Sequence, residues 1–356
     1  MTSRIITTQP LSVLAHEFRT SGGKTLHAFE HVIAVNSESG RREKNAAGGG
    51  GGGGINNALI FIGGLGDGPL GVPYVRTIAE SLSSSSSSSW SVFELLLSSS
   101  YSGFGFGSLR QDVEEIAAFV AYLRSVDDER KKIVLMGHST GCQDCMEYAK
   151  RSSDPAAAAD SGILLIPAVD GFILQGPVSD REALGMMAKG GRLPENEVQE
   201  WQQKLETSLR FAKDKIDKGE GGQDIIMPRA MLPRDTFTTP ITAYRWWSLA
   251  AVGGDDDYFS SDLADERVAE IWGSLRQPVL IVPSAQDEHV PRDIDVGELM
   301  ERWKRACGPR IASSRSAMIP DANHRVDNDP TGRAQAWLAN RVHDFLREDI
   351  LRITNK

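Results

Sequence analysis

The amino-acid sequence predicts an α/β fold, in which a doubly wound, mostly parallel sheet is covered by helices and carries a helical insertion. Short apolar runs alternate with segments of helical periodicity through most of the 356 residues. Two of the runs, 133–136 and 278–282, are apolar almost throughout, which is typical of parallel strands buried on both faces. The alternation stops between residues 178 and 262, where helical patterns and aromatic residues prevail.

The elements follow one another in a regular order along the chain. The strand candidates are residues 26–35, 58–62, 90–97, 133–136, 172–174 and 278–282. Helical spacing is predicted over residues 109–126, 139–151, 197–215 and 334–351. A glycine run (48–54) and a serine run (83–89) lie between patterned segments and are predicted to be surface loops without chemistry.

This order predicts a core made of residues 1–177 and 263–356, with residues 178–262 as a separate insertion. We expect the insertion to form a cap over the carboxyl edge of the strands, where open α/β sheets bind their ligands. Its aromatic residues Tyr244, Trp246 and Trp247 are candidates for substrate contact, because large flat side chains bury apolar ligand area.

Composition narrows the class of protein. The net charge of −9 argues against a nucleic-acid surface and against an anionic membrane. Three cysteines in 356 residues make no disulfide framework, and Cys142 and Cys145 are predicted to pack inside a helix. Neither an apolar signal-peptide core nor an apolar run of membrane-spanning length occurs. The sequence therefore predicts a cytoplasmic protein with no membrane span.

The strongest chemical signal is Gly-His-Ser-Thr-Gly at 137–141, a G-x-S-x-G between the run IVLM and a helical segment. In that context the serine sits on a sharp strand-to-helix turn, which is typical of the nucleophile of the α/β-hydrolase fold. Ser139 is therefore the predicted nucleophile. A serine hydroxyl needs a base within hydrogen-bond reach, and in this fold the acid and then the histidine follow the serine along the chain.

Two downstream loops supply those partners. Asp287 follows the strand candidate 278–282, and His324 follows the short run Met318-Ile319, which is also predicted to be a strand. We predict that Asp287 orients His324 and that His324 is the base. His289 remains an alternative base and Asp180, just beyond the strand FILQ, an alternative acid.

The oxyanion of an ester-hydrolysis intermediate needs two hydrogen-bond donors. The backbone N–H of Thr140 is one candidate, and the glycine-rich loop after strand 58–62 supplies the other. In that loop Leu65 is the predicted donor and Gly64 the alternative donor. Gly64 is also a predicted substrate contact. The same loop contains a G-x-G-x-x-G at 66–71, which is also a dinucleotide-binding pattern. Pro69 within it and the absence of a clear ribose-binding acid argue against that function.

Several segments resemble a mainly fungal α/β-hydrolase family, formerly a domain of unknown function, that includes the siderophore (fusarinine C) esterases. They are GHSTGCQD (137–144), GGLGDG (63–68), YSGFG (101–105), YRWWSL (244–249) and DDYFSSDL (256–263). The resemblance places the same three roles on Ser139, Asp287 and His324. It implies a serine carboxylic-ester hydrolase that cleaves an ester-linked hydroxamate siderophore for intracellular iron release.

The expectation is thus an acyl-enzyme esterase that needs neither metal nor cofactor and whose partner is a small-molecule ester, such as a ferri-siderophore. Two alternatives remain. One is a non-catalytic binding protein of the same fold, and the other is a hydrolase of another small ester or lactone.

Overall fold

A seven-stranded sheet organises the described part of the chain. The computed structural model describes residues 11–33, 57–83, 90–126, 131–153, 166–189, 194–219, 222–234 and 236–352. The strands are β1 (Val13–Arg19), β2 (Thr25–His31), β3 (Asn57–Ile62), β4 (Trp90–Leu96), β5 (Ile133–His138), β6 (Gly171–Gln175) and β7 (Val279–Val282). They lie in the order β1-β2-β4-β3-β5-β6-β7. β1 and β2 run antiparallel to their neighbours, and all pairings from β4 to β7 are parallel. The predicted mostly parallel sheet is confirmed.

Helices connect the parallel strands and form the insertion. The α-helices of the described residues are α1 (Tyr74–Ser83), α2 (Leu109–Val126), α3 (Gly141–Ser153), α4 (Asp180–Lys189), α5 (Glu195–Asp217), α6 (Ala243–Ala250), α7 (Asp265–Gly273), α8 (Val296–Ala306) and α9 (Arg333–Phe345). Short 3-10 helices span Tyr101–Gly105 and Arg229–Met231. The closing helix predicted for 334–351 is α-helical only to Phe345 and continues as a π-helix, Leu346–Ile350.

Strand β5 shows how the sheet forms a core on each face. Its residues are all buried and alternate between two apolar clusters. Ile133 and Leu135 pack with α2, α3, α7 and α8, whereas Val134 and Met136 face α1 and α9. This alternation follows from the two-residue period of a strand. It explains why the central strands are apolar at every position.

The insertion has an apolar cluster of its own. Helices α4, α5 and α6 contribute to it, and its members include Trp201 and Trp246. Leu65, from the loop after β3, packs against the same cluster. The insertion is therefore in contact with the loop that was predicted to carry an oxyanion donor.

Two strand assignments differ from the sequence analysis. β1 was not predicted, because it is an edge strand with mostly exposed or half-buried side chains and so has no regular apolar alternation. Met318-Ile319 does not form a full strand, since only one bridge, from Ile319 to Ser284, pairs it with the chain beyond β7.

Other expectations depend on which residues are described. The glycine run 48–54 and residues 84–89 of the serine run lie outside the described residues, and Ser83 ends α1. Cys142 and Cys145 are buried on α3 as free thiols, which confirms their packing role. Among the described helices, none combines the length and the apolar character needed to cross a bilayer.

Candidate active site

The turn between β5 and α3 forces Ser139 into an unusual backbone conformation. Its φ angle is 53°, in the left-handed region that residues with a Cβ atom rarely adopt. The backbone is crowded on both sides: a Cβ atom on Gly137 would lie 2.2 Å from Gly141 O, and one on Gly141 would lie 2.3 Å from Ile62 O. The two glycines of the motif are thus required by the close packing of the turn. Such a turn presents the serine side chain at the carboxyl edge of the sheet.

The predicted acid and base meet at the same edge. His324 Nδ1 lies 2.7 Å from Asp287 Oδ2, and the two side chains are only 5% and 2% exposed. Glu288 Oε2 accepts the backbone N–H of His324 at 2.8 Å. A neutral imidazole that donates from Nδ1 carries its lone pair on Nε2, so the carboxylate fixes the tautomer that can accept a proton.

Two further histidines surround His324. The ring centroid of His138 lies 4.9 Å from that of His324, which brings the turn at Ser139 into contact with the histidine loop. Burial lowers the pKa of His138 to about 3, so this ring stays uncharged at neutral pH. His289, the alternative base, is exposed and packs edge-on against His324 with centroids 4.6 Å apart. Its backbone N–H donates to Asp287 Oδ1 at 3.0 Å.

The alternative acid Asp180 has a different partner. It opens α4, and its Oδ2 atom accepts a hydrogen bond from Gln143 Nε2 at 2.7 Å. Burial of the carboxyl group raises the pKa of Asp180 to about 8. The described residues thus pair His324 with Asp287 and Asp180 with Gln143.

The loop after β3 lies directly on Ser139. A Cβ atom on Gly64 would lie 2.6 Å from Ser139 Cβ and 3.2 Å from Ser139 Oγ. The amide N–H of Gly64 is already used, since it donates to Asp67 Oδ2 at 3.1 Å. Within the described part of the chain, the amide N–H groups of Leu65 and Thr140 have no acceptor. These two donors, and not that of Gly64, are available to a ligand atom beside Ser139.

Gln175, at the end of β6, is a site residue that sequence reasoning missed. Its Oε1 atom accepts from Tyr74 Oη at 2.8 Å and pairs with His138 Nδ1 at 2.5 Å. Its Nε2 atom donates to the backbone oxygen of His324 at 3.3 Å. One buried amide therefore links β6 to the histidine loop. The FILQ segment ends on this glutamine, and a polar residue closing an apolar strand is the only sequence signal that could have marked it.

The aromatic residues of α6 do not all face the same way. Trp246 is fully buried inside the insertion, where its Nε1 donates to Ser208 Oγ at 2.9 Å. Tyr244 Oη donates to Asp255 at the surface, and Trp247 is half-buried with Lys213 Nζ 5.6 Å from its ring centroid. The buried position of Trp246 gives it a packing role in the insertion in place of the substrate contact that the sequence predicted.

Arg245, between those aromatics, is a buried charged residue of α6. It is 4% exposed, and its guanidinium donates to Asp256 Oδ2 at 2.6 Å and to Phe104 O at 3.1 Å. Together with Asp112 and Asp144 it borders a small cavity behind the loop after β3. Burial raises the pKa of Asp112 to about 7 and that of Asp144 well above its usual range, although the nearby guanidinium opposes both shifts.

Comparisons with known proteins agree with this fold. A family described as "Protein of unknown function (DUF1749)" matches residues 44–347. Fusarinine C esterase sidJ of Aspergillus fumigatus is 32% identical over 317 residues, which cover 82% of this chain and 88% of the relative. Esterase AN6793 of Emericella nidulans is 31% identical over 328 residues, which cover 82% of this chain and 86% of that protein.

Solved structures give the same picture. The siderophore hydrolase EstB from Aspergillus fumigatus superposes with a TM-score of 0.71 at 30% identity, covering 96% of this chain and 98% of that one. An α/β-hydrolase-fold protein of unknown function superposes with a TM-score of 0.58 at 15% identity, covering 97% and 99% of the two chains, and this supports the fold alone.

The relatives that carry an activity in their names are esterases and a siderophore hydrolase, which supports an ester-hydrolase function and not dinucleotide binding. The resemblance indicated by the sequence segments is confirmed. This chain, with the α/β-hydrolase fold, belongs to the DUF1749 family, the family of its fusarinine C esterase relative.

Proposed function

We propose that the protein is a serine carboxylic-ester hydrolase in which Ser139, His324 and Asp287 form a catalytic triad. The observation that carries the proposal is the 2.7 Å contact between His324 Nδ1 and Asp287 Oδ2, buried beside the strained turn at Ser139. A histidine held in one tautomer by a buried carboxylate, next to a serine at the edge of an α/β sheet, is the arrangement that activates a hydroxyl group.

The reaction follows from these roles. His324 Nε2 removes the proton of Ser139 while Oγ attacks the ester carbonyl carbon, and the carbonyl oxygen becomes negatively charged. The amides of Leu65 and Thr140 bind that oxygen. The intermediate collapses as His324 gives the proton to the leaving alcohol. Water then attacks the acyl-enzyme by the same proton transfers and releases the acid and the free serine.

The favoured substrate is an ester-linked hydroxamate siderophore such as fusarinine C. Support comes from the relatives, because one is named for fusarinine C hydrolysis at 32% identity and another is a siderophore hydrolase at 30% identity. In this role the ferric ion belongs to the substrate, and cleavage of the esters releases it inside the cell. Cleavage of the first ester bond opens the chelating ring, and each further cleavage shortens the open chain. Both steps lower the effective concentration of the hydroxamates around the iron.

Residues 178–262 act in this proposal as a cap that selects the substrate. Their apolar cluster packs against Leu65, whose amide is one of the proposed oxyanion donors. Of the three aromatics predicted for substrate contact, Tyr244 and Trp247 are half-buried and keep that role in the proposal. Gly64, from the loop after β3, is the further proposed substrate contact. Trp246 serves the cap through its packing.

The proposal predicts that Ser139→Ala lowers hydrolysis of fusarinine C by at least about a thousandfold, because no other group supplies the nucleophile. Product formation is followed by liquid chromatography. The matched control is Ser125→Ala, since Ser125 is an exposed serine whose hydroxyl donates to Tyr122 O in its own helix. A Ser139→Ala protein that keeps a tenth of wild-type activity contradicts the triad. A wild-type protein that binds esters without any turnover supports the non-catalytic alternative.

A further inference from the structure

An ion pair connects the loop after β3 to the loop that carries His324. Arg325 Nη1 donates to Asp67 Oδ1 at 2.6 Å, and Nη2 of the same guanidinium donates to Gly71 O at 2.6 Å. The other oxygen of Asp67 accepts the amide N–H of Gly64 at 3.1 Å. The two loops are 258 residues apart in sequence, and Arg325 follows His324 directly.

We propose that Asp67 and Arg325 are positioning residues, which hold the Leu65 amide and His324 in fixed relation to Ser139. The inference rests on the proposed function, because it assigns a purpose to the distance between the oxyanion donor and the base. The side chains of Asp67 and Arg325 do not contact the reacting atoms in this proposal. Both act through the backbone of the loops to which they belong.

The geometry leaves little tolerance in this region. Gly64 is so close to Ser139 that a Cβ atom on it would lie 2.6 Å from Ser139 Cβ. A shift of the loop therefore moves the adjacent Leu65 amide relative to the nucleophile. Misplacement of a catalytic group by about 1 Å costs about 100-fold in rate. A loop held only by backbone contacts would be free to make such shifts.

The ion pair is well suited to resist them. The Asp67 side chain is 11% exposed and that of Arg325 37% exposed, so the pair is only partly screened by water. Each side chain makes two hydrogen bonds, and bonds between charged partners are shorter and stronger than neutral ones. Arg325 Nε also lies 3.8 Å from Asp327 Oδ2. Asp67 Oδ2 also lies 3.7 Å from Nε2 of His138, the ring next to His324.

A simpler role for Asp67 is to close its own turn. Its backbone N–H donates to Gly64 O at 2.9 Å while its side chain accepts the Gly64 amide, and an asparagine does the same. The two roles differ in the effect of Asp67→Asn. Asparagine preserves the turn, but it loses the charge that pairs with Arg325.

The experiment measures kcat and KM for nitrophenyl acetate with Asp67→Asn, Arg325→Gln, Arg325→Lys and the double variant Asp67→Asn/Arg325→Gln. We expect both single neutral variants to lower kcat by about 10- to 100-fold while KM changes less than about threefold, because the oxyanion donor acts only in the transition state. Arg325→Lys should recover part of kcat. The kcat of the double variant should be no lower than that of the less active single variant, since both substitutions break the same ion pair.

A second readout is the affinity for a boronic acid, which forms a negatively charged tetrahedral adduct with the serine. We expect that affinity to fall in parallel with kcat, whereas a purely structural role would leave it unchanged in the folded protein. Arg333→Gln is the matched control, because Arg333 lies a few residues further on with its side chain 85% exposed.

The outcomes separate the inference from the function on which it rests. Wild-type kcat in Asp67→Asn, additive losses in the double variant, or a change confined to KM would each overturn the positioning role. Ser139→Ala, measured in the same assay, must be inactive. Activity in that variant contradicts the proposed nucleophile instead of the ion pair.

Discussion

Among the single residues of the site, Gly64 packs directly against the side chain of Ser139. Replacement by alanine would place a Cβ atom 2.6 Å from Ser139 Cβ. At this distance either the loop after β3 or the turn at Ser139 must move. We predict that Gly64→Ala lowers kcat for nitrophenyl acetate by about 100-fold or more, because the shift displaces the oxyanion loop from the nucleophile.

Gly185→Ala is the control for that substitution. Gly185 lies on α4, where an added Cβ atom would meet no atom within 4 Å. Alanine is also the better helix former by about 1 kcal/mol, so this variant should keep full activity and at least wild-type stability. Similar losses of activity in the two variants would show that crowding at Ser139 is not the cause.

The sequence predicted those site residues whose signal is local. The turn at Ser139 was evident because its glycines, the preceding apolar strand and the following helix are contiguous in sequence. Asp287 and His324 could be predicted because, in the α/β-hydrolase fold, the acid and then the histidine follow the serine along the chain. In contrast, Gln175 and the Asp67–Arg325 pair depend on contacts between segments more than 100 residues apart, and no local periodicity or motif predicts those contacts.

At the level of secondary-structure elements, helix α6 is held within the insertion by a buried ion pair. Arg245 and Asp256 have side chains 4% and 1% exposed, and Asp256 also accepts a hydrogen bond from Ser248. We predict that Arg245→Met lowers the free energy of unfolding by about 3–5 kcal/mol, because it leaves the Asp256 carboxylate buried without its cation. Urea unfolding followed by circular dichroism measures the change.

Two comparisons test the cause of that loss. Adding Asp256→Asn to Arg245→Met should recover part of the stability, since the uncompensated charge is removed. Arg267→Met should cost less than about 0.5 kcal/mol, because Arg267 pairs with Glu270 at the surface, where the two side chains are 42% and 64% exposed. No recovery in the double variant would mean that the loss comes from packing and not from charge.

The elements themselves were predicted to different degrees. Central strands were found because they are buried on both faces and so are apolar throughout. The sequence does not predict β1, because its exposed edge position removes that pattern. It predicts a strand at 318–319, where the structure has one isolated bridge, from Ile319 to Ser284. Apolar sequence indicates burial, but pairing depends on neighbours that the local sequence does not contain.

For the whole molecule, the buried carboxyl groups behind the loop after β3 make stability depend on pH. Burial raises the pKa of Asp112 to about 7, whereas an aspartate in an unfolded chain titrates near about 3.9. The folded state therefore holds a proton that the unfolded state releases. The stabilisation from this group is complete below about pH 4 and is lost as the pH rises through 7.

Asp112→Asn tests this dependence. Asparagine does not titrate and its amide oxygen can still accept the bond from Ser99 Oγ, which measures 2.7 Å in the native protein. Between pH 4 and pH 8, the free energy of unfolding of the variant should fall by about 1–3 kcal/mol less than that of the wild type. Parallel pH profiles from denaturant titrations would contradict the assignment of a neutral Asp112.

Covalent labelling by a fluorophosphonate tests the proposed triad of Ser139, His324 and Asp287 most directly. The modified peptide is identified by mass spectrometry. We expect a single adduct on Ser139 in the wild type, because only a serine paired with a base attacks the phosphorus. Labelling should vanish in His324→Ala and persist in His289→Ala. An adduct on another residue, or undiminished labelling of Ser139 without His324, would contradict the triad.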